Sequence, residues 1–572
     1  MIAKAGLRGI ARPGVWPEFA FRGEPLHNPA PFVFDTLSQK IRPVNSPTLP
    51  TQPAATGTTF GQWMALLAAL LGWMFDGFEL GLLPLVARPA LQDLLANSGP
   101  KDIKEMEAFV NLWEGIWTAG FLVGMSTGGV LFGWLGDRIG RVRAMTLSVF
   151  AYSVFSGVCC ISQSAEEFFC YRFLAALGMG GEWSLGVALV MEIWPNKSRA
   201  LLSGLIGAAA NVGFLLVALF ALVLASFIKS AEGGLLAMGL PQNWVDSLVA
   251  HQGWRLLMLL GAAPAVLTFF IRLAVPESEK WQHQRDKGST SSWATKDLLG
   301  VVVGAFGALL IVFVWLREYP LAIRMIGSGV GLVIALCGYI YPVLRFLQRS
   351  RDASAGASDE VRSTVRLLLI GACLSGVALI GTWASIQRAP SWANDIAKEA
   401  AIAANLSEAD VNSARISARA MTQIFSGLGA IIGTIAGALL GNVLGRRSTF
   451  AILCLGSFLS ALLFFQTNTT FGTPFLVTVF IAGGFTASFY GWLPLYLPEL
   501  FRTNVRATAQ GFSFNFGRIL AAVAALQTGN MIGLFKGVGG LPMACSVMSL
   551  IYVVGMAIIW LAPETKGQPL PE

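Results

Sequence analysis

Long apolar runs separated by short polar stretches dominate this chain. Runs of about 20 residues, each long enough to cross a ~30 Å hydrocarbon core as a helix, fall near 60–87, 108–136, 143–163, 167–192, 200–228, 254–275, 297–316, 323–346, 365–387, 415–441, 448–466, 473–497, 507–533 and 539–562. The pattern predicts an all-α polytopic membrane protein with fourteen transmembrane helices. The polar stretches alternate in charge. Basic residues collect in every second loop (Arg138/Arg141/Arg143, Lys197/Arg199, Lys280/Arg285/Lys287, Arg345/Arg349/Arg351, Arg446/Arg447, Arg502/Arg506). Positive charge is retained on the cytoplasmic side, so these loops and both termini are expected there.

A short stretch occurs twice, each time at the inner end of an apolar run. Gly136-Asp137-Arg138-Ile139-Gly140-Arg141 returns 305 positions later as Gly441-Asn442-Val443-Leu444-Gly445-Arg446. Glu192, Arg199 and Gly204 return 307 positions later as Glu499, Arg506 and Gly511, and Pro276-Glu277-Ser278 has a counterpart in Pro563-Glu564-Thr565. A duplicated membrane bundle with matched loops is the sequence sign of a transporter that works by alternating access. The offsets divide the chain into a disordered cytoplasmic tail (1–56), a six-helix bundle (57–278), central loops with an inserted helix pair (279–364), a second six-helix bundle (365–563) and a cytoplasmic tail (564–572). An even insertion keeps the Arg loops of both bundles on one side.

Composition narrows the class. With 55% hydrophobic and 13% charged residues the chain is too apolar for a soluble protein of this size. The net charge of +8 is accounted for by the loop pattern, so no nucleic-acid partner is expected. The seven Cys lack metal-ligand spacing and the three His lie outside the apolar runs. No Walker-type Gly-rich Lys loop is present, which argues against direct use of ATP. No cofactor, metal site or enzymatic constellation is expected; the partners are a small-molecule substrate, protons and the lipid bilayer, with the chain acting as a monomer.

Charges inside the spans are costly in lipid and are candidate functional groups. Asp76 and Glu79 sit at i and i+3 on the first span, roughly 22–28 Å from its inner end, and Arg172 on the fourth span reaches a similar depth. A carboxylate that pairs with Arg172 in one state and takes a proton in another would couple transport to protons. Glu182 reads either as a second protonatable group or as an ion-pair partner within its bundle. Arg518 lies roughly 18 Å into the bilayer. Beside Asn515 and Gln510, it suits a substrate carboxylate, which Arg holds through two hydrogen bonds. Trp73, Trp183, Trp383, Tyr490 and Trp492 are candidates to stack on a sugar ring or line the cavity, or to sit in membrane belts, and Trp183 and Tyr490 are expected among the substrate-binding residues. Arg388 reads as an interfacial or entrance residue. Gly124, Gly128, Gly129 and Gly133 are expected to thin one helix face for close packing. With Gly133 at its edge, Asp137, Arg138, Gly140 and Arg141 are expected to form a cytoplasmic gate with Glu192, Arg199, Glu499 and Arg506. The second copy has Asn442 and Val443 where the first has Asp137 and Arg138, so gating is expected mainly from the first half.

The run Gly133…Asp137-Arg138…Gly140-Arg141, with Arg172…Gly178…Gly180, resembles the major facilitator superfamily. Within it, Leu71–Glu79, Arg172–Glu182, Glu192–Arg199 and Gly253-Trp254-Arg255 are most similar to bacterial sialic acid permeases, which likewise have fourteen spans. The resemblance implies the major facilitator fold and proton-coupled import of an acidic sugar such as sialic acid across the inner membrane. Arg518 and the acid-bearing first span also resemble aromatic-acid/proton symporters, which keeps that class, and neutral sugars, open. A non-transporting nutrient sensor on the same scaffold would call for a large signalling domain, and the short loops offer none.

Overall fold

The computed structural model describes residues 60–572 apart from 97–98, 101, 318, 353–357 and 536; the expected tail at 1–56 lies outside the described residues. Helices account for the elements found among them. The first bundle comprises α1 (Phe60–Leu94), α2 (Ile103–Ile139), α3 (Arg141–Val158), α4 (Ala165–Ile193), α5 (Arg199–Ala237), α6 (Gln242–Leu260) and α7 (Ala265–Ala274). A short α8 (Glu279–Asp286) leads to a hairpin of α9 (Leu298–Leu316) and α10 (Leu321–Asp352). The second bundle follows as α11 (Ser358–Trp383), α12 (Ala389–Ala403), α13 (Glu408–Leu444), α14 (Arg446–Thr467), α15 (Thr473–Ala487), α16 (Phe489–Leu500), α17 (Arg506–Leu534), α18 (Gly540–Met548) and α19 (Ile551–Ile558).

Twelve helical segments among the described residues are long and apolar enough to cross a membrane, two fewer than the fourteen expected. The stretch 507–533 does form one helix, α17, but it carries Gln510, Asn515 and Arg518 along its length. The stretch 254–275 is split into the end of α6 and a ten-residue α7. Pro264 lacks a backbone N–H and interrupts the helical ladder at that turn.

The repeat is visible as repeated packing. α2 lies on α4 as α13 lies on α15; α1 lies on α5 as α11 lies on α17. The bundles then meet along two seams, α2 against α17 and α13 against α5. Glycines make the first seam close, although not on a single face as expected. Successive helical positions point about 100° apart, so Gly124 and Gly128 face α4 while Gly129 and Gly133 face Asn515, Gly511 and Ala507 of α17. At the Arg-loop end, α2 breaks into α3 at Gly140 (φ 112°) and α13 into α14 at Gly445 (φ 94°), a backbone region that a Cβ disfavours.

The α9–α10 hairpin packs on α2 and touches α17, so it borders the first seam. Thr127 of α2 and the Tyr339 hydroxyl of α10 share a 2.8 Å hydrogen bond. At the hairpin base Trp293 stacks on Phe346 at 4.3 Å and donates to the Asn504 carbonyl at 3.3 Å, and Arg349 holds Asp297 with two hydrogen bonds.

Candidate functional site

Two sites lie between the bundles: a charged network at the Arg-loop end and a cavity further along. The network is built from matched parts. In the first half the carboxylate of Glu277 accepts from the backbone N–H of Arg141 (2.9 Å) and Val142 (3.2 Å), capping α3. In the second, Glu564 accepts from Arg446 (2.9 Å) and Arg447 (3.1 Å), capping α14. The Ser278 hydroxyl donates to Glu192 as the Thr565 hydroxyl donates to Glu499. Arg141 and Arg446 each donate to the carbonyl five residues back, Gly136 and Gly441. The two caps titrate in opposite directions. Burial dominates at Glu277 and pushes its carboxyl up from the ordinary range. At Glu564 burial also raises, but the N–H donors of Arg446, Arg447 and Lys566 together prevail and hold the carboxyl low.

Beyond these parts the symmetry ends. Asp137 is fully buried and accepts from Ala507 N (3.2 Å), Thr508 N (2.8 Å) and Thr508 Oγ1 (2.6 Å), so it caps the N-terminus of α17 in the other half. A carboxylate there meets both unpaired amides and the positive end of the helix dipole. Arg141 bridges Asp137 (2.9 Å), Glu192 (3.2 Å) and the Thr503 carbonyl (2.6 Å), and Arg506 donates to Glu192 at 2.7 Å. Asn442, by contrast, is exposed. Arg446 spends its Nε–Nη2 edge on Glu499 of its own half, at 2.9 and 2.6 Å. No hydrogen bond joins Arg199 to Glu499 among the described residues. Arg138 turns away from the expected network to stack on Trp134 (5.0 Å) and donate to Thr295 (2.9 Å), and Arg143 is exposed. The expected tail 564–572 is packed in: Leu570 is buried, and the Pro571 carbonyl accepts from Arg506 at 2.6 Å.

The cavity, with about 90 Å³ of space open to the centres of water molecules, is walled by α1, α5, α11, the start of α12 with the turn before it, α13, α15, α16 and α17, hence by both bundles. Asp76 and Arg518 are its opposite charges. Asn211, Gln423, Ser426 and Thr382 supply neutral polar groups, and Trp73, Trp383, Tyr490 and Phe514 supply rings. Arg518 lies over the Phe514 ring (5.1 Å) and donates to Asn515 Oδ1 at 2.6 Å. Asp76 is buried, and neither of its carboxyl oxygens meets a protein donor. It lies next to the Glu182 carboxyl without a hydrogen bond to it; the Glu182 oxygens are likewise without a donor, and Tyr152 lies beside it.

Three expected substrate residues are elsewhere. Asn515 is held by the Gly180 (3.1 Å) and Gly511 (2.9 Å) carbonyls and ties α17 to α4. Gln510, one helical turn and a fraction nearer the Arg loops, is buried outside the cavity wall. Trp183 stacks on Phe514 at 3.8 Å and faces a small pocket with Glu182 and Trp73. The carboxylate that meets Arg172 is Glu79, not Asp76. Glu79 also accepts from Ser156 at 2.7 Å, and Arg172 lies 4.7 Å from the Phe121 ring. Positions i and i+3 are about 60° apart around a helix, enough to send Asp76 to the cavity and Glu79 into its own bundle. Asn211, Gln423 and Ser426 carry no spacing signal and were missed; Glu277 and Glu564 were visible in the Pro-Glu-Ser/Thr repeat but not as caps.

A family model described as sugar (and other) transporter matches residues 64–301 and 405–572. The chain is 26% identical over 509 residues to a putative metabolite transport protein of Haemophilus influenzae, covering 89% of this chain and 98% of that protein. It is 24% identical to the cis,cis-muconate transport protein of Acinetobacter baylyi (86% and 94% covered). To the Escherichia coli sialic acid transporter NanX it is 26% identical over 230 residues (40% and 48% covered). The structure of the proton:xylose symporter XylE superposes with a TM-score of 0.60 at 17% identity, covering 89% of this chain and 98% of that one. The family match covers the first bundle and the second from α13 onward, leaving out most of the α9–α10 hairpin together with α11 and α12, and this multi-pass membrane protein, a transporter and not an enzyme, belongs to the sugar (and other) transporter family of the major facilitator superfamily.

Proposed function

We propose that the chain imports a small carboxylated solute together with protons across the inner membrane, by alternating access with the Arg loops facing the cytoplasm. The observation that carries this reading is Arg518, a guanidinium on the wall of a largely uncharged cavity between the bundles, next to Asp76. A solute carboxylate accepts two hydrogen bonds from Arg518 only if Asp76 releases its claim on that charge, and protonation of Asp76 does so. Glu182, within reach of Asp76, is the group to receive the proton once the bundles rock. Glu79 is committed to Arg172 and Ser156 and serves to fix α1 against α4. With Asp137, Arg141, Glu192 and Arg506 joined across the halves, the cytoplasmic side is closed, and the cavity loads from the opposite end.

The first-choice solute is a sialic acid or related acidic sugar, from the motif resemblance and the NanX match. The ring-rich wall and the muconate transporter relative favour a planar unsaturated or aromatic acid as the second. Uptake of labelled sialic acid, cis,cis-muconate and 4-hydroxybenzoate into transporter-null cells, with and without a protonophore, separates them. Accumulation of at least one, abolished by Arg518→Gln, is expected. Uptake of none sinks the substrate reading, and protonophore-sensitive accumulation that survives Asp76→Asn combined with Glu182→Gln removes the coupling scheme.

A further inference from the structure

The end of the cavity away from the Arg loops carries charges that the scheme above does not use. Glu114 of α2 and Arg419 of α13 are 305 positions apart, the same offset that relates Gly136 to Gly441. Each lies eleven positions into its helix, counted from Ile103 and from Glu408. They are therefore the repeat-equivalent positions of the two halves, and they bear opposite charges. Arg419 stands one helical turn beyond Gln423 of the cavity wall, and Arg388 lies between Gln387 and Pro390, both wall residues. Arg388 and Arg419 are half-buried and share Glu114 as an acidic neighbour, yet no ion pair joins Glu114 to Arg419. Two guanidinium groups thus share one carboxylate near the mouth, at the end of the cavity opposite the closed network.

We propose that Arg388 and Arg419, tempered by Glu114, form a capture site for carboxylates at the cavity mouth, met by the solute before it reaches Arg518. A cleft with low-dielectric walls focuses such a field and raises the local concentration of the opposite ion by about 10-fold or more. Neutral solutes gain nothing from it, so the mouth discriminates by charge before the cavity discriminates by shape. The proposal rests on the cavity being the solute path, but its test needs no transported solute.

The test places a cysteine at Gln387, an exposed residue of the cavity wall, in the purified full-length chain. It compares the rates of modification by a sulfonated and by a trimethylammonium methanethiosulfonate of similar size, after subtracting the rate of the parent chain. The anion-to-cation rate ratio is expected to fall by about 10-fold when Arg388→Gln and Arg419→Gln are added, to rise with Glu114→Gln, and to persist in the double Arg→Lys variant. A ratio unchanged by the double Arg→Gln substitution overturns the proposal. If that variant does not fold, salt decides on the Gln387→Cys chain alone. Screening at 1 M salt, where the Debye length is about 3 Å, is expected to bring the ratio close to one, and a ratio indifferent to salt overturns the proposal equally.

Discussion

The two seams between the bundles share a backbone arrangement and differ in what crosses them. Along α2–α17, Asp137 caps the other half's helix, Arg141 reaches the Thr503 carbonyl, Glu192 holds Arg506, and the α9–α10 hairpin borders the line. Along α5–α13 the contacts are packing: Gly204 against Ile435, with Asn442 exposed and Arg446 turned back on Glu499. A buried, hydrogen-bonded charge network is costly to leave half made, whereas apolar packing of small residues slides at little cost. Among the described residues one seam is hydrogen-bonded and the other packed, so the resistance to separating the bundles at this end is concentrated on one side. A duplicated fold can thus keep its symmetry in shape and lose it in chemistry.

The sharpest way to break this comparison is to exchange its two key letters. Asp137→Asn leaves Arg141 short of a buried partner, a loss on the order of 3–5 kcal/mol. It is expected to raise the accessibility of a cysteine placed at Thr503, buried at the same seam and joined to Arg141 only through its carbonyl, by more than about 100-fold and to abolish most uptake. The reciprocal Asn442→Asp, at an exposed site, is expected to change neither by more than about twofold. Equal effects from the two would erase the distinction between the seams.

A smaller effect separates the two glutamates. Glu192→Gln weakens the link to Arg506 across the seam and should shift the same cysteine accessibility by about 10-fold, in keeping with charge-assisted hydrogen bonds of about 1.5–3 kcal/mol. Glu499→Gln breaks a pair inside one half. It should lower the melting temperature with the accessibility unmoved.

The capping glutamates sharpen the comparison through pH. Because the Glu277 carboxyl is raised, the folded state binds more protons than the unfolded one between the ordinary Glu value and the raised value. Stability therefore falls as pH rises through that window and is level above it. Glu564 is lowered, so its contribution is present above the ordinary Glu value and lost as pH falls through the depressed one; half-buried and screened by solvent, it contributes little. Melting curves from pH 4 to 7 should lose part of their downward slope in Glu277→Gln, with the rest left to the buried carboxyl of Asp137, and keep all of it in Glu564→Gln. The smallest change is Tyr339→Phe, which removes one hydrogen bond at the hairpin while Thr127 keeps its bond to the Val123 carbonyl. A loss of about 1 kcal/mol or less is expected by thermal melting.

Much of this architecture was legible in the letters. The repeat gave the two bundles and the inserted pair, and Asn442 in place of Asp137 announced the asymmetry. The partners of Asp137 were not legible, because two are backbone N–H groups of residues 507 and 508, and an amide has no letter of its own. Asp76 and Glu79 were recognised as buried acids, but their division between cavity and bundle depends on a rotation of about 60° that spacing alone does not orient. Asn515 was read as a ligand of the solute because it neighbours Arg518. In the fold it is consumed by the carbonyls of Gly180 and Gly511, a role that required knowing which helix lies opposite.

Arg506 has one further consequence. Besides Glu192 it holds the carbonyls of Pro498, Phe501 and Pro571, all from its own half. When the halves part, the guanidinium loses one acceptor of four and keeps a ready-made coordination shell, so no stranded cation has to be rehydrated at the moment of opening. The latch is strong while engaged, yet its release requires little solvent reorganisation, and that combination favours fast turnover.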